Sequence, residues 1–167
     1  MKTLNLIIAL LLSTMITAQT DSVFIQKQFD DVALTTYYLS SYELIVTNDK
    51  KTGAVLDAYI DPNFAFSMLT CKLFNLGTCA ENVELIIVFE NEDRIKVESW
   101  NSFNCEGDAY FFLNKSDIEK LSTLTISKIR ITNKYTYDSV TAPVNNPRYF
   151  IQTFWAINNK KCVIYGE

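Results

Sequence analysis

Residues 79–105 read CAENVELIIVFENEDRIKVESWNSFNC. Val83, Leu85, Ile87 and Phe89 alternate with their neighbours on one side of a polar cluster, and Ile95 and Val97 do so on the other. A period of two marks a strand with one buried face, and the cluster Asn91-Glu92-Asp93 is where the chain reverses. A two-residue turn at Asn91-Glu92 would set Phe89 against Arg94 and Leu85 against Glu98, and it would want Gly in place of Glu92. A loop over Asn91, Glu92 and Asp93 keeps the faces apart. It sets Phe89 against Ile95, Ile87 against Val97 and Leu85 against Ser99, with Glu90, Val88 and Ile86 against Arg94, Lys96 and Glu98 on the mixed face. Asp93 then takes the left-handed position, which Asp tolerates. In this register Cys79 lies opposite Cys105 at the open end, within reach of a disulfide.

The same period-two reading extends over most of the chain. Strands are predicted over Val23–Phe29, Leu34–Leu39, Glu43–Thr47, Ala54–Ile60, Ala109–Leu113, Ser127–Thr132 and Tyr135–Val140, with a last extended piece over Cys162–Tyr165. Phe64–Phe74 is an apolar run that suits a buried strand or a short helix equally. Ser116 with Glu119 has capping-box spacing and starts a short helix. Asn146 caps a C-terminal helix with Pro147 at its first position, and Phe150, Phe154 and Ile157 form its apolar stripe. The expected fold is α+β and mainly β: a twisted antiparallel sheet of hairpins packed by a short helix and the C-terminal helix.

Met1-Lys2, the apolar run Leu4–Leu12 and the smaller residues Ser13–Ala18 have the layout of a secretory signal peptide. Residues 1–18 are read as that peptide and residues 19–167 as one domain, exported to the periplasm or secreted and soluble after cleavage. No later apolar run reaches the ~18 residues needed to span a bilayer. The full chain holds 15 basic and 19 acidic residues, a net charge of −4, and loss of Lys2 with the leader makes it more negative. That balance argues against nucleic acid and anionic membranes as partners. A protein or a carbohydrate is the partner class left open.

Several pieces together resemble small exported proteins of unknown function from Bacteroidota. They are ELIIVFENEDRIKV, SFNCEGDAYFFL, the helix start Ser116-Asp117-Ile118-Glu119, SKIRITN and YFIQTF. The leader ending in Ala18-Gln19 is similar to leaders of that phylum. The hairpin departs from the group's Asn-Gly or Asp-Gly turn. The resemblance implies no activity and no functional residue.

The residues themselves limit the chemistry. The chain has no histidine, which removes Ser-His-Asp and Cys-His pairs, histidine-ligated zinc and the usual neutral-pH base. Four cysteines without CxxC spacing in an oxidising compartment suit disulfides better than zinc. With Cys79 paired to Cys105, Cys71 and Cys162 are left to each other by elimination. Paired carboxylates are the remaining catalytic option, at Asp30-Asp31, Asp57 with Asp61, or Glu106 with Asp108, and each also reads as solvated loop acid. Asn91, Glu92 and Asp93 lack EF-hand spacing, and Asn114-Lys115-Ser116 is a glycosylation sequon. No metal, cofactor or catalytic residue is assigned. Tyr37, Tyr38 and Tyr42, with Trp100 on the mixed face of the hairpin, form the candidate binding surface, since aromatic rings give large contact area with little entropy loss. The expected function is a non-catalytic binding or accessory module, against a carboxylate-dependent hydrolase or a protease-inhibitor-like module.

Overall fold

A computed structural model describes residues 25–30, 35–40, 44–49, 51–61, 67–77, 79–101 and 104–159. Residues 1–18, expected from the sequence to be a signal peptide, Tyr42, and the piece Cys162–Tyr165 expected to be extended lie outside the described residues. Among the described residues ten strands and two helices follow one another: β1 (Ile25–Asp30), β2 (Thr35–Ser40), β3 (Leu44–Thr47), β4 (Gly53–Ile60), β5 (Ser67–Phe74), β6 (Glu84–Phe89), β7 (Arg94–Glu98), β8 (Asp108–Leu113), α1 (Lys115–Thr123), β9 (Ile126–Thr132), β10 (Ser139–Ala142) and α2 (Tyr149–Asn158). The fold is α+β and mainly β, as the sequence predicts. The strands form two antiparallel sheets rather than one. The first runs β1-β2-β4-β5-β8 with β3 beside β4, and the second runs β10-β9-β6-β7. β2 and β3 share one edge of β4, with Leu39 opposite Tyr59 and Leu44 opposite Leu56. Phe64–Phe74 resolves into the strand Ser67–Phe74, whose buried side chains Leu69 and Cys71 alternate with exposed or half-buried ones.

Both sheets turn one apolar face to a single core. Leu44, Val46, Leu56, Ile60, Leu69 and Phe111 come from the first sheet, and Leu85, Ile87, Ile95, Ile129 and Ile131 from the second. The helices close this core with Ile118 and Leu121 of α1 and Phe150, Phe154 and Ile157 of α2. Sheet faces that carry this many branched and aromatic side chains must bury them against another element, and two facing sheets do so.

The hairpin turns one residue earlier than predicted. Its loop is Glu90-Asn91-Glu92, with Glu92 N–H donating to Phe89 O, Phe89 N–H donating to Asp93 O, and Glu92 rather than Asp93 at positive φ (70°). The Asn91 carboxamide accepts the Asp93 N–H at 3.1 Å, a local bond that fixes the turn around Asn91. Ile87 therefore faces Ile95 and Leu85 faces Val97, while each residue keeps its predicted face. Nearer the open end the ladder shifts back. Glu84 faces Glu98 but Ala80 faces Asn104, so two extra residues sit on the second strand. The two deviations cancel, and Cys79 and Cys105 form the predicted disulfide.

Other boundaries move for local reasons. Asn114, not Ser116, caps α1: its carboxamide accepts from Asp117 N–H at 3.0 Å, and the Asp117 carboxylate accepts from Asn114 N–H at 3.1 Å. α2 begins at Tyr149 because Asn146 closes a turn over Pro147-Arg148 instead, accepting from Arg148 N–H at 3.1 Å. Lys134–Thr136 is turn, Tyr137 follows at φ 62°, and the strand predicted there starts only at Ser139. Asn133 is fully buried, and its carboxamide donates to the carbonyls of Leu76 (2.8 Å) and Cys79 (2.6 Å). The second sheet thereby grips the segment that leads into the disulfide. Gly53 admits no side chain, because a Cβ there would stand 2.1 Å from Val46 O.

Two stability effects follow. The disulfide spans 26 residues, so loop entropy makes it worth about 3.5 kcal/mol; urea unfolding of Cys79→Ser/Cys105→Ser should show a loss of that order. Glu84 is almost buried and receives Lys96 Nζ at 2.7 Å, and that hydrogen bond, aided by Lys134 and Arg130, holds its carboxyl below the ordinary value. A lowered carboxyl adds stability that is present above the unfolded pKa of about 4.3 and fades as pH falls through the folded one. Glu84→Gln should thus cost about 1 kcal/mol at pH 7, with the gap to the parent closing below about pH 4 in the same assay.

Candidate functional site

The outward face of the first sheet carries a row of large apolar side chains at one level. Leu39 on β2 faces Tyr59 on β4, Tyr59 faces Met68 on β5, and Met68 faces Phe112 on β8. Each is half-buried except Phe112, which is 45% exposed. Neighbouring rings extend the row at both ends. Tyr37 stacks on Tyr59 with centroids 4.6 Å apart and donates to Gln28 Oε1 at 2.6 Å. Trp100 stacks on Phe112 at 5.1 Å and 14°, and lies 6.0 Å from Tyr110.

Trp100 reaches this face because the hairpin leaves its own sheet. After β7 the chain crosses to β8, where Trp100 N–H donates to Tyr110 O at 3.1 Å. The Asn101 side chain then stands in for a short piece of strand: its carboxamide Nδ2 donates to Asp108 O at 2.9 Å and its Oδ1 accepts Tyr110 N–H at 3.0 Å. Asn104 gathers the backbone N–H groups of Glu106, Gly107 and Asp108 on its carboxamide oxygen, and Gly107 supplies the positive φ (83°) that this loop needs. Leu73 N–H donates to Gly107 O and ties the loop to β5. The sequence places Trp100 on the hairpin's mixed face; in the structure it joins the other sheet, 55% exposed.

The remaining predicted residues divide. Tyr37 belongs to the row. Tyr38 does not: one residue along the strand points to the opposite face, and Tyr38 packs against the core. α2 meets the sheet from that inner side, where the hydroxyls of Tyr149 and Ser40 are hydrogen-bonded. The helix therefore leaves the aromatic row uncovered. Tyr110 and Phe112 had a signal in the alternation of DAYFFL, where Ala109, Phe111 and Leu113 are buried and Tyr110 and Phe112 point outward; Tyr59 and Met68 alternate in the same way with the buried Ala58, Ile60 and Leu69 of β4 and β5.

Polar groups lie beside the row. Asp57 faces Thr70, Thr70 faces Tyr110, and Lys72 pairs with Asp108 at 3.5 Å. Further along the same face is an apolar groove of about 590 Å³, lined by Ile45, Val55, Phe74 and Pro143 among others. Asn145 forms its rim by donating its N–H to Ile45 O and accepting Ile45 N–H at 2.9 Å.

The catalytic options gain little from this geometry. Asp57 and Asp61 are four residues apart on extended chain, about 13 Å, outside the ~5–10 Å of glycosidase pairs. Glu106 is exposed in its loop, and the Asp30 side chain and Asp31 lie outside the described residues. Cys71 is a free, buried thiol and not half of a bridge to Cys162. Burial, then the charges of Asp108 and Asp57, push its ionisation far above the ordinary thiol range, which makes it a poor nucleophile. Among the described residues no group of three His, Cys, Asp or Glu is placed to hold a metal ion, and no helix is long and apolar enough to cross a membrane.

The Asn101 carboxamide ties the segment that carries Trp100 to β8. In a Trp155→Phe background, Trp100 is the one remaining tryptophan; Asn101→Ala should red-shift its emission and weaken its near-UV dichroism while the far-UV spectrum stays unchanged. Comparison of the chain with protein-family models, with curated proteins and with solved structures finds no match.

Proposed function

We propose that this is an exported, non-catalytic binding module that holds an uncharged oligosaccharide on the outward face of its first sheet. The observation that carries this reading is the Trp100–Phe112 stack, two large rings left about half exposed beside Tyr110 on a rigid strand. Flat rings at a sheet surface match the C–H faces of pyranose sugars, and they lose little side-chain entropy on binding. Asp57, Thr70, Lys72 and Asp108 supply donors and acceptors for hydroxyl groups next to the rings. Tyr37–Tyr59 forms a second stack across the sheet, so a chain of several sugars would meet rings at both ends. The secretory layout of residues 1–18 and the disulfide support a periplasmic or secreted location. The absence of histidine and the wide spacing of the candidate acids support a role in binding over hydrolysis.

Calorimetric titration with a panel of neutral oligosaccharides tests the reading. At least one should bind, and Trp100→Ala should weaken it about 30-fold, the ~2 kcal/mol of a central aromatic anchor, with the unfolding temperature unchanged. Equal binding by Trp100→Ala, or binding of extended peptides in place of sugars, would overturn it.

A further inference from the structure

The outward face of the second sheet has a different chemistry. Its cross-strand rows read Arg94–Val88–Lys128 and Lys96–Ile86–Arg130 over β7, β6 and β9. Four exposed cations thus form two rails on either side of a half-buried apolar strip, Ile86 and Val88. With strands about 4.8 Å apart, the rails stand about 10 Å apart, and charges within a rail are about 7 Å apart. Lys96 is held by Glu84, and Lys134 by Glu84 and Glu98, at one end of the rows. Lys120 of α1 donates to Arg94 O at 3.3 Å near the other end, where the exposed turn acids Glu90, Glu92 and Asp93 also lie. Arg94, Lys128 and Arg130 have no carboxylate within 4.0 Å among the described residues. In a chain of net charge −4, this concentration of positive charge on one face is a local inversion, and among the described residues three of its four cations have no carboxylate beside them to offset their mutual repulsion.

We infer that this face binds an acidic polysaccharide, one whose sugars carry carboxylate or sulfate groups. The two-rail geometry selects that class. A pyranose chain lays apolar C–H surface over Ile86 and Val88, and successive units direct their acidic groups to alternate sides, one rail each. An extended acidic peptide presents its sheet-facing side chains in a single line and would serve one rail. Duplex nucleic acid has no use for the central apolar strip. The inference stands on different residues from the aromatic face and does not depend on it.

Biolayer interferometry of the full mature protein tests it in about 50 mM salt. The probes are polygalacturonate for carboxylate and dextran sulfate for sulfate, with unsubstituted dextran, polyglutamate and duplex DNA beside them. At least one acidic polysaccharide should bind, more weakly as salt rises. The variant Arg94→Gln/Lys128→Gln/Arg130→Gln should bind it at least tenfold more weakly with an unchanged unfolding temperature, and Trp100→Ala should bind it like the parent. Failure of both acidic polysaccharides to bind, or unchanged binding by the triple variant, would overturn the inference. So would DNA or polyglutamate binding as tightly as the sugars.

Discussion

Between Glu84–Glu98 and the Cys79–Cys105 disulfide, one strand of the hairpin uses fewer residues than the other. A regular ladder pairs residues one to one, and here the longer strand leaves the ladder with its extra residues and joins β8. The disulfide makes the excursion permanent by closing the hairpin beyond it. Several other features hang on this crossing. Asn133 holds the carbonyls of Leu76 and Cys79 from the second sheet, while Asn101 and Asn104 hold the backbone of β8 from the hairpin. These carboxamides replace strand residues where the two sheets would otherwise separate. One hairpin therefore belongs to both layers, and its tryptophan reaches a face that its own sheet does not possess.

The sequence carried much of this, and the physical reasons for its limits are specific. Alternation identified the strands and assigned Leu85, Ile87, Ile95 and Val97 to the buried face, because a period of two survives a register error of two residues. It could not fix the turn, since Asn91 closes its loop with a side-chain bond that composition alone does not reveal. The disulfide was read correctly although the turn and the ladder each departed from the expected register, because the departures were equal and opposite. Two sheets were not legible as such. Pairing of β5 with β8, and of β6 with β9, joins segments far apart in sequence, and local patterning carries no record of long-range partners.

The site was legible only in fragments. Tyr37 and Trp100 have exposed faces on the aromatic row, but the neighbouring Tyr38 is turned inward by the alternation of β2. Phe112 and Tyr110 alternate with the buried Phe111 and Ala109, but a short strand with aromatic residues on both faces does not state which face meets solvent. Alternation alone places Trp100 on the hairpin's mixed face, because nothing in its sequence surroundings signals the departure towards β8. The basic rails were equally hidden. Their members lie on β7 and β9, more than 30 residues apart in sequence, and they become a surface only when β6 is laid between them. An overall acidic composition masks such a patch, since net charge describes the molecule and not a face.

The two outward faces thus differ in kind, one aromatic with mixed polar neighbours, the other cationic around an apolar strip. The crossing of the hairpin matters most for the first, because it supplies Trp100. Amide and aromatic chemical-shift mapping with a bound neutral oligosaccharide tests that account most directly. The largest shifts should fall on Tyr59 of β4, on Tyr110 and Phe112 of β8, and on Trp100 in the segment that joins β8. Shifts confined to other surfaces, with the Trp100 indole unmoved, would contradict it.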